Sequence, residues 1–546
     1  MQRKYIFVTG GVVSSLGKGV AAASIGALLK SRGFSVHMRK FDPYLNIDPG
    51  AMSPLQHGEV YVTNDGYETD LDLGYYERFL EIQLSRNDSV SAGKVFWEVL
   101  NKERRGDYHG ATIQLIPHIT NQIKEYIGTE TNTDFVICEL GGTIGDIEQL
   151  VFIEALRQFS NDIGRENAMF VHLSYVPYIA AANEIKTKPT QASVRLLLEK
   201  GIQADMILCR TAREMGDDDK RKLAMFCNLK PASIIEAPDL DNIYKVPLAY
   251  EKQNIVEQIL LHFGMDASRN GNLAPLQRIS DYLAADVPSV NIGVVGKYFS
   301  VPDSYKSLFE SLFHAGIANN IKVKIHKINA EDLEKMDEDA LADALGTMDG
   351  ILVPGGFGER GIPGKMLAAG YARKNKIPYF GICLGMQLAV IEFMRNVCGI
   401  KDANSTEFTK NCTPIISLMS EWEKDGKKEI RTENSDIGGT LRLGAYPCVI
   451  APDTLAAEVY GLIEISERHR HRYEMDLSFE EILNKNGMIV SGKSPDGKLP
   501  EIIELAGHPF FIAGQFHPEF QSSPFNAHPL FKAFVRAAAK TSNLPL

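Results

Sequence analysis

The stretch PYFGICLGMQLAVIEFM, residues 378–394, decides the fold of the C-terminal half of the chain. Its apolar start predicts a strand over 379–382, which runs through a tight turn at 381–385 into an apolar helix from about Met386. A strand, a tight turn and a helix in this order are typical of an α/β domain with a parallel sheet. The turn holds Cys383 above the sheet, and the N-terminus of the following helix favours its nucleophilic thiolate form.

The same alternation of short apolar strands and helical patterns extends over both halves of the chain. In the first half it predicts strands at Tyr5–Val8, Phe135–Cys138, Ala168–Leu173, Met206–Leu208 and Ser233–Ile235. In the second half it predicts strands at 290–296, Val323–Ile325, Gly350–Val353, Tyr379–Ile382 and 510–516. We therefore predict two doubly wound α/β domains, each a parallel sheet covered by helices. The predicted boundaries are 1–265 for the first domain, 266–288 for an irregular linker and 289–546 for the second domain.

The composition narrows the class of protein. The chain of 546 residues exceeds what one core fills, because single cores rarely grow beyond about 250–300 residues. A net charge of −11 argues against a broad nucleic-acid or anionic-membrane surface, although it permits local basic pockets for small polyanions. The seven cysteines show no CxxC pair, so neither a disulfide framework nor a zinc site is predicted. With no signal-peptide core and no apolar run of about 20 residues, we expect a soluble cytoplasmic protein.

A catalytic partner for Cys383 is found in the motif FHPEF, residues 516–520. A nucleophilic thiol needs a base, and here His517 follows a predicted strand, with the carboxylate of Glu519 two positions later to steady it. The chain has other His-Pro pairs, but neither has an acid two residues on. A lone cysteine is more often a small buried hydrophobe. The turn and the His-Glu pair favour the catalytic interpretation for Cys383.

Two glycine-rich turns follow predicted strands. PGGFG, residues 354–358, presents backbone N–H groups to a developing oxyanion, or it is a simple turn. VTGGVVSSLGKGV, residues 8–20, is similar to a phosphate-binding loop, with Lys18 positioned to reach the outer phosphates. Gly19 stands where a magnesium-binding Ser or Thr is usual.

Carboxylates must therefore supply the magnesium ligands, because Mg²⁺ prefers hard oxygen donors. The candidates are Asp72 in ETDLDLG and Glu139 directly after a strand, with Asp70 as the nearest competitor. Any one of these acids taken alone is better interpreted as a solvated surface group. The lysines that suit a triphosphate are Lys40, Lys186, Lys188 and Lys222, although lysines usually serve only solubility.

The motifs PGGFG, GICLGMQ and HPE, in this order, resemble the class I glutamine amidotransferase domain. The resemblance implies that Cys383 attacks the glutamine carboxamide, His517 moves the proton and Glu519 orients the histidine. It also implies an oxyanion hole and a glutamine site formed by Gly356, Leu384, Gly385, Met386, Gln387, Glu407 and Arg472. Without the resemblance, Glu407 is equally a loop acid, and HRHR at 469–472 is equally a basic surface strand or a metal site.

The first 265 residues resemble the CTP synthase family. The motifs are SSLGKG, FDPYLNIDPG, SPLQHGEV, TDLDLG, ERRGDY, GGTIGDIE and KTKPTQ. The resemblance implies a ligase in which ATP phosphorylates UTP at the oxygen on position 4 of uracil. Ammonia from glutamine then displaces the phosphate and gives CTP, the final step of CTP biosynthesis. It further implies Mg²⁺, inhibition by CTP, activation by GTP and a homotetramer that can form filaments.

The CTP synthase resemblance also assigns nucleotide sites residue by residue. The implied ATP site comprises Ser15, Leu16, Gly17, Lys18, Gly19, Val20, Asp72, Pro238, Asp239 and Leu240. The implied UTP and CTP site comprises Ser14, Asp146, Ile147, Glu148, Lys186, Thr187, Lys188, Pro189, Thr190, Gln191 and Lys222. Asp72 and Glu139 are the implied metal ligands. The lid motif departs from the family, because His109 in GDYHGAT stands where a leucine is expected.

Two rival functions follow from the same sequence. One is another ATP-dependent amidotransferase that amidates a carboxylate, against which KTKPTQ and GGTIGDIE argue. The other is a nucleotide-binding scaffold that has lost activity, against which the intact set of Cys383, His517 and Glu519 argues.

Overall fold

The computed structural model describes residues 2–53, 57–418, 421–424, 427–430 and 441–544. The chain divides into two compact units: unit 1 comprises Met1–Pro49 and Asp72–Ala284, and unit 2 comprises Gly50–Leu71 and Ala285–Leu546. This division differs from the predicted boundaries in two respects. The segment 266–288, predicted to be an irregular linker, belongs to unit 1 up to Ala284 and contains a helix over Ala274–Ala284, because Leu276, Ile279 and Tyr282 are buried there. The segment Gly50–Leu71, which lies inside the predicted first domain, packs as part of unit 2.

Unit 1 is built on a sheet in which the seven strands among the described residues all pair in parallel. The strands, labelled in chain order, are β1 (Lys4–Gly11), β2 (Val36–Asp42), β3 (Ser89–Ser91), β4 (Phe135–Leu140), β5 (Ala168–Tyr175), β6 (Met206–Thr211) and β7 (Ile234–Pro238). Their order across the sheet is β7, β6, β5, β1, β4, β2, β3. The strands are almost wholly buried, which explains their continuous apolar runs, because helices cover both faces of such a sheet.

The helices of unit 1 follow the strands as the sequence pattern predicts. They are α1 (Lys18–Ser31), α2 (Asp72–Leu80), α3 (Ala92–Arg105), α4 (Thr120–Gly128), α5 (Leu150–Ile163), α6 (Lys188–Glu199), α7 (Asp217–Phe226), α8 (Val246–Glu251), α9 (Ile255–His262) and α10 (Ala274–Ala284). One large core lies between the sheet and helices such as α5, where Phe7, Phe159 and Phe170 pack together. No helix of the described residues is long and apolar enough to cross a membrane.

Unit 2 has a mixed nine-stranded sheet among its described residues. Its strands are β8 (Ser289–Gly296), β9 (Lys322–Asn329), β10 (Gly350–Val353), β11 (Tyr379–Ile382), β12 (Arg442–Ile450), β13 (Glu464–His471), β14 (Met488–Lys493), β15 (Pro500–Leu505) and β16 (Phe511–Gly514). The order is β9, β8, β10, β11, β16, β15, β14, β12, β13. Pairing is parallel from β9 to β16 and antiparallel from there to β13. The predicted α/β class is confirmed, and the antiparallel half is a feature that the pattern did not predict.

The helices of unit 2 are α11 (Lys306–Asn319), α12 (Ala330–Leu333), α13 (Glu338–Leu345), α14 (Ile362–Asn375), α15 (Leu384–Asn396), α16 (Leu455–Tyr460), α17 (Glu480–Lys485) and α18 (Pro529–Thr541). Two apolar cores lie on the two faces of the sheet. Neighbouring residues of β11 pack into both cores, since Tyr379 stacks on Phe511 on one face and Phe380 contacts Phe534 on the other. Residues of β11 therefore point alternately into the two cores, as a strand requires.

The segment Gly50–Leu71 is held to the rest of unit 2 by buried polar contacts. A short hairpin pairs Tyr61–Val62 with Glu68–Thr69. The hydroxyl of buried Tyr61 donates to the carbonyl of Phe520 at 2.8 Å, and Nε of Arg470 donates to Oε1 of Glu68 at 2.8 Å. Satisfied polar contacts of this kind fix register and position.

Candidate active sites

Cys383 occupies a strained turn between β11 and α15. Its backbone has φ 51° and ψ −105°, a region that residues other than glycine rarely adopt. A Cβ on Gly385 would lie 2.1 Å from the Val353 carbonyl oxygen, and one on Gly381 would lie 2.9 Å from the Ala513 Cβ. Glycine is therefore required on both sides of the cysteine, because the turn passes against the two neighbouring strands. Strain retained in this way is typical of functional sites.

His517 and Glu519 form a buried pair after β16, the strand next to β11. Nδ1 of His517 lies 2.8 Å from Oε1 of Glu519, and its ring stacks on Phe520 with centroids 5.3 Å apart. Burial alone would lower the pKa of His517, but the Glu519 carboxylate and the Cys383 thiol together raise it to about 10. An imidazolium beside a cysteine favours the nucleophilic thiolate. The structure thus brings the three predicted catalytic residues together.

Gln515 is a neighbour of the thiol that the sequence interpretation missed. Its Nε2 points to Sγ of Cys383 at 3.7 Å, and its Oε1 accepts from Nε2 of Gln387 at 3.1 Å. Gln387 also donates to the carbonyl of Tyr473 at 2.8 Å and is almost fully buried. The amide of Gln387 is thus engaged with the protein, and its predicted contact with glutamine remains a prediction. The sequence signal for Gln515 was only its position, two residues before His517.

The PGGFG loop runs from the end of β10 across the thiol site. A Cβ on Gly355 would lie 2.8 Å from Cε1 of His517 and 3.6 Å from the Cβ of Cys383. One on Gly356 would lie 3.7 Å from Cδ2 of Leu384, the first residue of α15. The first N–H groups of a helix have no partner within it, so the predicted oxyanion donors, Gly356 and Leu384, are neighbours.

Glu407, predicted to bind glutamine, contacts this loop and interacts electrostatically with Arg472, the other predicted glutamine ligand. Oε1 of Glu407 accepts from the backbone N–H of Gly358 at 2.9 Å. Burial raises the pKa of Glu407, while the Gly358 N–H and the charges of Lys297 and Arg472 oppose that shift. A small cavity of about 90 Å³ reaches Cys383 and His517 and is also lined by Gly58, Glu59 and Val60 of the Gly50–Leu71 segment.

The first three residues of the HRHR run, 469–471, end β13, and Arg472 follows directly. For the two histidines, the structure decides between the basic-surface and metal-site interpretations. His469 and His471 are buried and joined by a 2.9 Å contact between Nδ1 and Nε2. Burial and the charge of Arg442 lower the pKa of both well below the ordinary value. They are neutral core groups, so the basic-surface interpretation is wrong for them. Within the described ranges no cluster of three or more His, Cys, Asp or Glu side chains suits a metal.

The phosphate loop of unit 1 joins β1 to α1 through left-handed residues. Positive φ values occur at Val12 (77°), Ser15 (57°) and Gly17 (88°), so the chain curls before α1 begins at Lys18. Nζ of Lys18 donates to the carbonyl of Gly142 at 2.7 Å. Ser14 is exposed beside this loop. A helix N-terminus after such a curl is suited to anionic phosphate oxygens.

A buried cluster of charges lies beside the loop, on the adjacent strands β2 and β4. Lys40 and Glu139 are register partners, and Nζ of Lys40 lies 3.4 Å from Oε1 of Glu139. The same ammonium bonds to Asp72 and lies 3.3 Å from Asp42. Burial works to lower the pKa of Lys40, yet these carboxylates raise it well above its ordinary value. Burial raises the pKa of Glu139, which also accepts a hydrogen bond from the Tyr76 hydroxyl.

Asp72 and Glu139 converge on Gly19. A Cβ at Gly19 would lie 2.2 Å from Oδ1 of Asp72 and 3.4 Å from Oε2 of Glu139. The two carboxylates occupy the space that a Ser or Thr side chain fills in a standard phosphate-binding loop. Asp70, the competing candidate, belongs to unit 2, where it lies 3.4 Å from Nδ1 of His57.

The KTKPTQ motif forms the start of α6. Thr187 precedes the helix, Pro189 lies in its first turn, and Oγ1 of Thr190 donates to the carbonyl of Tyr175 at 2.9 Å. Lys186 and Lys222 both act on Glu184: its pKa is lowered first by the hydrogen bond from Lys186 and more weakly by the charge of Lys222. The structure therefore places these two lysines around one exposed carboxylate.

The other predicted nucleotide residues lie on exposed loops of unit 1. Asp146, Ile147 and Glu148 are exposed, and Oδ2 of Asp146 accepts from the N–H of Thr143 at 2.9 Å. The remaining residues, Pro238, Asp239 and Leu240, line a cleft of about 800 Å³ at the end of β7. Lys188 is exposed in the first turn of α6, and Gln191 bonds to Thr187 at 3.1 Å.

Comparison with known proteins places these two sites in one enzyme family. Residues 4–265 match the family model described as CTP synthase N-terminus, and residues 300–537 match glutamine amidotransferase class-I. A CTP synthase from Zymomonas mobilis subsp. mobilis is 54% identical over 542 residues, with 99% of each chain covered. One from Azospirillum brasilense is 53% identical over 545 residues, again with 99% of each chain covered. The chain belongs to the CTP synthase family.

A solved structure, a glutaminase domain of Trypanosoma brucei CTPS with bound acivicin, is 40% identical to this chain. It covers 46% of this chain and 94% of its own, with a TM-score of 0.42. As a member of this family, the protein is a ligase that uses ATP to aminate UTP, with glutamine as the nitrogen source. The predicted ligase activity and fold class are thereby confirmed, and the predicted regulation by CTP and GTP stays a prediction.

The CTP synthase motif that departs from expectation lies on an exposed loop. His109 is exposed and has φ 51°, in the left-handed region. Histidine is enriched several-fold among the non-glycine residues that adopt this conformation, so the backbone gives a local reason for histidine at this position.

Proposed function

We propose that Cys383 is the nucleophile that releases ammonia from glutamine, with His517 as its base and Glu519 as the group that orients the histidine. The observation that carries this proposal is the strained turn that presents Cys383 to a buried His-Glu pair. The thiolate attacks the carboxamide carbon, the electrons of the carbonyl pass to its oxygen, and Gly356 and Leu384 bind that oxygen. His517 then gives a proton to the departing ammonia.

The remaining proposed contacts bind the backbone groups of glutamine. Glu407 and Arg472 bind the α-amino and α-carboxylate groups of glutamine, since a free amino acid requires both an anionic and a cationic partner. Gly385, Met386 and Gln387 shape the wall next to the nucleophile. Support for this arrangement comes from the proximity of Glu407 to the 354–358 loop and from its electrostatic coupling to Arg472.

In unit 1, we propose that the loop at 14–20 and Lys18 hold ATP, together with Asp72 and the cleft at Pro238–Leu240. The UTP triphosphate lies at Ser14, Lys186–Gln191 and Lys222, where the exposed lysines supply positive charge. Positioning and charge neutralisation carry the phosphoryl transfer, because that reaction needs little covalent help from a protein. Ammonia displaces the resulting phosphate from position 4 of the pyrimidine ring.

Asp72 and Glu139 fit a magnesium ion. Their carboxylate oxygens converge beside Gly19, and two protein carboxylates with water and phosphate oxygens are a usual donor set for Mg²⁺. Asp72 and Glu139 would hold the ion, which would supply charge neutralisation to the triphosphate when bound. The ammonium of Lys40 also contacts the same two carboxylates.

Regulation and assembly are further parts of the proposal. We propose that CTP inhibits by binding through Asp146–Glu148 with its triphosphate on the UTP lysines, that GTP activates, and that the enzyme is a cytoplasmic homotetramer able to form filaments. The exposed position of Asp146–Glu148 beside the phosphate loop supports the CTP site. Sedimentation with and without nucleotides, and inhibition of the Glu148→Ala variant by CTP, test these points.

The division of labour is tested with two variants and two nitrogen sources. Cys383→Ala should abolish CTP formation from glutamine while leaving synthesis from added ammonia within about 2-fold of the parent enzyme. Lys18→Ala should stop synthesis from either source, because it acts on the phosphoryl step. CTP formation is followed by absorbance and by product chromatography.

Opposite outcomes would refute the assignment. Equal loss of both activities in Cys383→Ala would show that the thiol does more than supply ammonia. Unaltered CTP formation in Lys18→Ala would remove that lysine from phosphoryl transfer. Lys374→Met, on the exposed face of α14, is the control and should resemble the parent enzyme in both assays.

A further inference from the structure

Lys365 is a fully buried lysine on α14, directly behind the loop that faces the catalytic thiol. Its side chain is 0% exposed, and Nζ donates to the carbonyl of Pro354 at 2.9 Å. Within the part of the chain that the structure describes, the charged groups that act on this ammonium are Lys297 and Cys383, and no carboxylate is among them. Burying a cation without an anionic partner costs free energy. Packing alone therefore does not explain a lysine at this position.

The carbonyl that Lys365 binds belongs to the first peptide of the 354–358 loop. Because the peptide is planar, fixing the Pro354 carbonyl also fixes the N–H of Gly355 on the opposite side. Gly355 is the residue whose added Cβ would meet His517, and Gly356 lies close enough that its added Cβ would be 3.6 Å from Nζ of Lys365. Lys365 thus holds the part of the loop that lies against the catalytic pair.

A second buried lysine holds the other end of the same loop. Nζ of Lys297 donates to the carbonyls of Phe357 at 2.6 Å and Gly358 at 2.9 Å. The loop is therefore anchored by ammonium groups at both ends, and the two peptides on either side of Gly356 lie between the anchors. Donors fixed before the reaction stabilise an oxyanion without the cost of reorganising during it.

The charge environment agrees with this geometry. Burial and, more weakly, the charge of Lys297 lower the pKa of Lys365 to about 7, while Cys383 opposes the shift. The thiol is thus close enough to Lys365 to interact with its charge. The hydrogen bond to Pro354 nevertheless forms with either protonation state, because a neutral amine also donates N–H.

We propose that Lys365 is a positioning residue for glutamine hydrolysis, whose hydrogen bond to Pro354 sets the loop so that its N–H groups meet the oxyanion. The inference rests on the proposed role of Cys383 as nucleophile. Lys365 does not touch the substrate; it acts through the backbone of Gly355 and Gly356. Its loss should therefore weaken stabilisation of the tetrahedral intermediate and leave the thiol itself reactive.

The test separates oxyanion stabilisation from thiol reactivity. In Lys365→Met the Pro354 carbonyl loses its donor, and we expect kcat for glutamine hydrolysis to fall by about 10- to 100-fold with KM within about 3-fold. Glutamate γ-semialdehyde reports the oxyanion site, since the thiolate adds to its aldehyde carbon and the carbonyl oxygen becomes an alkoxide. Its affinity should fall by a factor similar to kcat, while alkylation of Cys383 by iodoacetamide changes less than about 2-fold.

Two further variants show whether the lost hydrogen bond causes the fall in kcat. Lys365→Gln retains an N–H donor and should recover part of kcat, whereas Lys374→Met on the exposed face of the same helix should change nothing. Ammonia-dependent CTP synthesis and the melting temperature report whether each variant is folded. If Lys365→Met does not fold, Lys365→Gln alone decides: a partial fall in kcat with a similar fall in semialdehyde affinity, while alkylation and ammonia-dependent synthesis stay unchanged, would support the inference, and hydrolysis equal to the parent's would overturn it.

Three results would overturn the inference. Parental kcat in Lys365→Met would show that the lysine only fills space, and an equal fall in alkylation would place its effect on the thiol. A donor-bearing Lys365→Gln no better than Lys365→Met would remove the hydrogen bond from the explanation. Failure of the proposed function is recognised separately, because Cys383→Ala would then still hydrolyse glutamine.

Discussion

The thiol site of unit 2 and the phosphate site of unit 1 are prepared for catalysis in different ways. At the thiol site, a strained turn and closely packed glycines fix the backbone that carries Cys383. A 2.8 Å contact with Glu519 fixes the ring of His517. At the phosphate site, opposite charges are packed against one another, with Lys40 beside three carboxylates. The first arrangement rests on fixed backbone geometry, whereas the second rests on opposite charges in contact.

This difference follows from the two reactions. A covalent attack gains from a nucleophile, base and oxyanion donors held in fixed geometry. Phosphoryl transfer between two nucleotides brings large negative charges into a buried place, and unpaired carboxylates there would be costly before the substrates arrive. Lys40 offsets this cost for Asp72 and Glu139, and these carboxylates in turn raise the pKa of Lys40. The two sites should therefore respond differently to small changes in shape and in charge.

The largest expected effect is that of Gly19→Ala on the phosphate site. The new Cβ would lie 2.2 Å from Oδ1 of Asp72, so the carboxylate must move away from the position where it meets Glu139. We expect CTP formation from both glutamine and ammonia to fall by about 100- to 1,000-fold, since misplacement near 1 Å costs about 100-fold. Steady-state assays with each nitrogen source measure this.

Gly216→Ala is the matched control for Gly19→Ala. Its added Cβ meets nothing within 4 Å, and its φ of −68° is open to alanine. It should retain parental activity. A Gly19→Ala enzyme with near-normal synthesis would show that Asp72 moves without consequence, and the proposed metal site would then be wrong.

Gly355→Ala is the corresponding experiment at the thiol site. Its Cβ would lie 2.8 Å from Cε1 of His517, so the imidazole or the loop must shift by several tenths of an ångström. Glutamine hydrolysis should fall by about 30- to 100-fold while ammonia-dependent synthesis is unchanged. Loss of both activities in this variant would contradict the separation of the two sites.

The sequence predicted local chemistry well and long-range packing less well. Cys383, His517 and Glu519 were identifiable because each lies beside a strand end with a characteristic turn or motif. Lys365 and Gln515 were not, because an isolated lysine on a helix or a glutamine in a strand carries no local sign of what it will touch. The grouping of Gly50–Leu71 with unit 2 likewise depends on distant partners such as Arg470.

The fold shows the same limit. Strands predicted from apolar runs are all present, since a strand buried on both faces reads as a continuous apolar run. The antiparallel pairing of β12 to β15 depends on which strands meet, which the pattern of one strand does not determine. For the phosphate site, the absence of a hydroxyl at Gly19 was informative, because it pointed to carboxylates, and the structure places Asp72 and Glu139 beside that glycine.

A moderate and pH-dependent effect is expected for Glu519→Gln. The carboxylate helps raise the pKa of His517 to about 10, so the charged pair stabilises the folded state fully below pH 6.5, the ordinary value of histidine. That stabilisation is lost as pH rises from about 6.5 through about 10. The parent should therefore melt several degrees above Glu519→Gln at pH 6, and the difference should shrink towards pH 10.5. Melting curves across this range measure it, and a difference that grows with pH would contradict the assigned ion pair.

The smallest effect concerns the exposed lysines of the phosphate site, where charge acts through solvent. Lys222 is exposed and acts on Glu184 only weakly, so Lys222→Ala should raise the KM for UTP by about 3- to 10-fold and leave kcat little changed. Because an exposed charge is screened by ions, the increase should diminish from 50 mM to 500 mM salt. Lys230→Ala is the matched control: Lys230 is also exposed but lies before the start of β7, whereas the cleft proposed for ATP follows the end of that strand. If both variants raised the KM for UTP equally, the effect would come from net charge alone. Lys222 would then give no support to the distinction between a thiol site fixed by backbone geometry and a phosphate site that depends on charge.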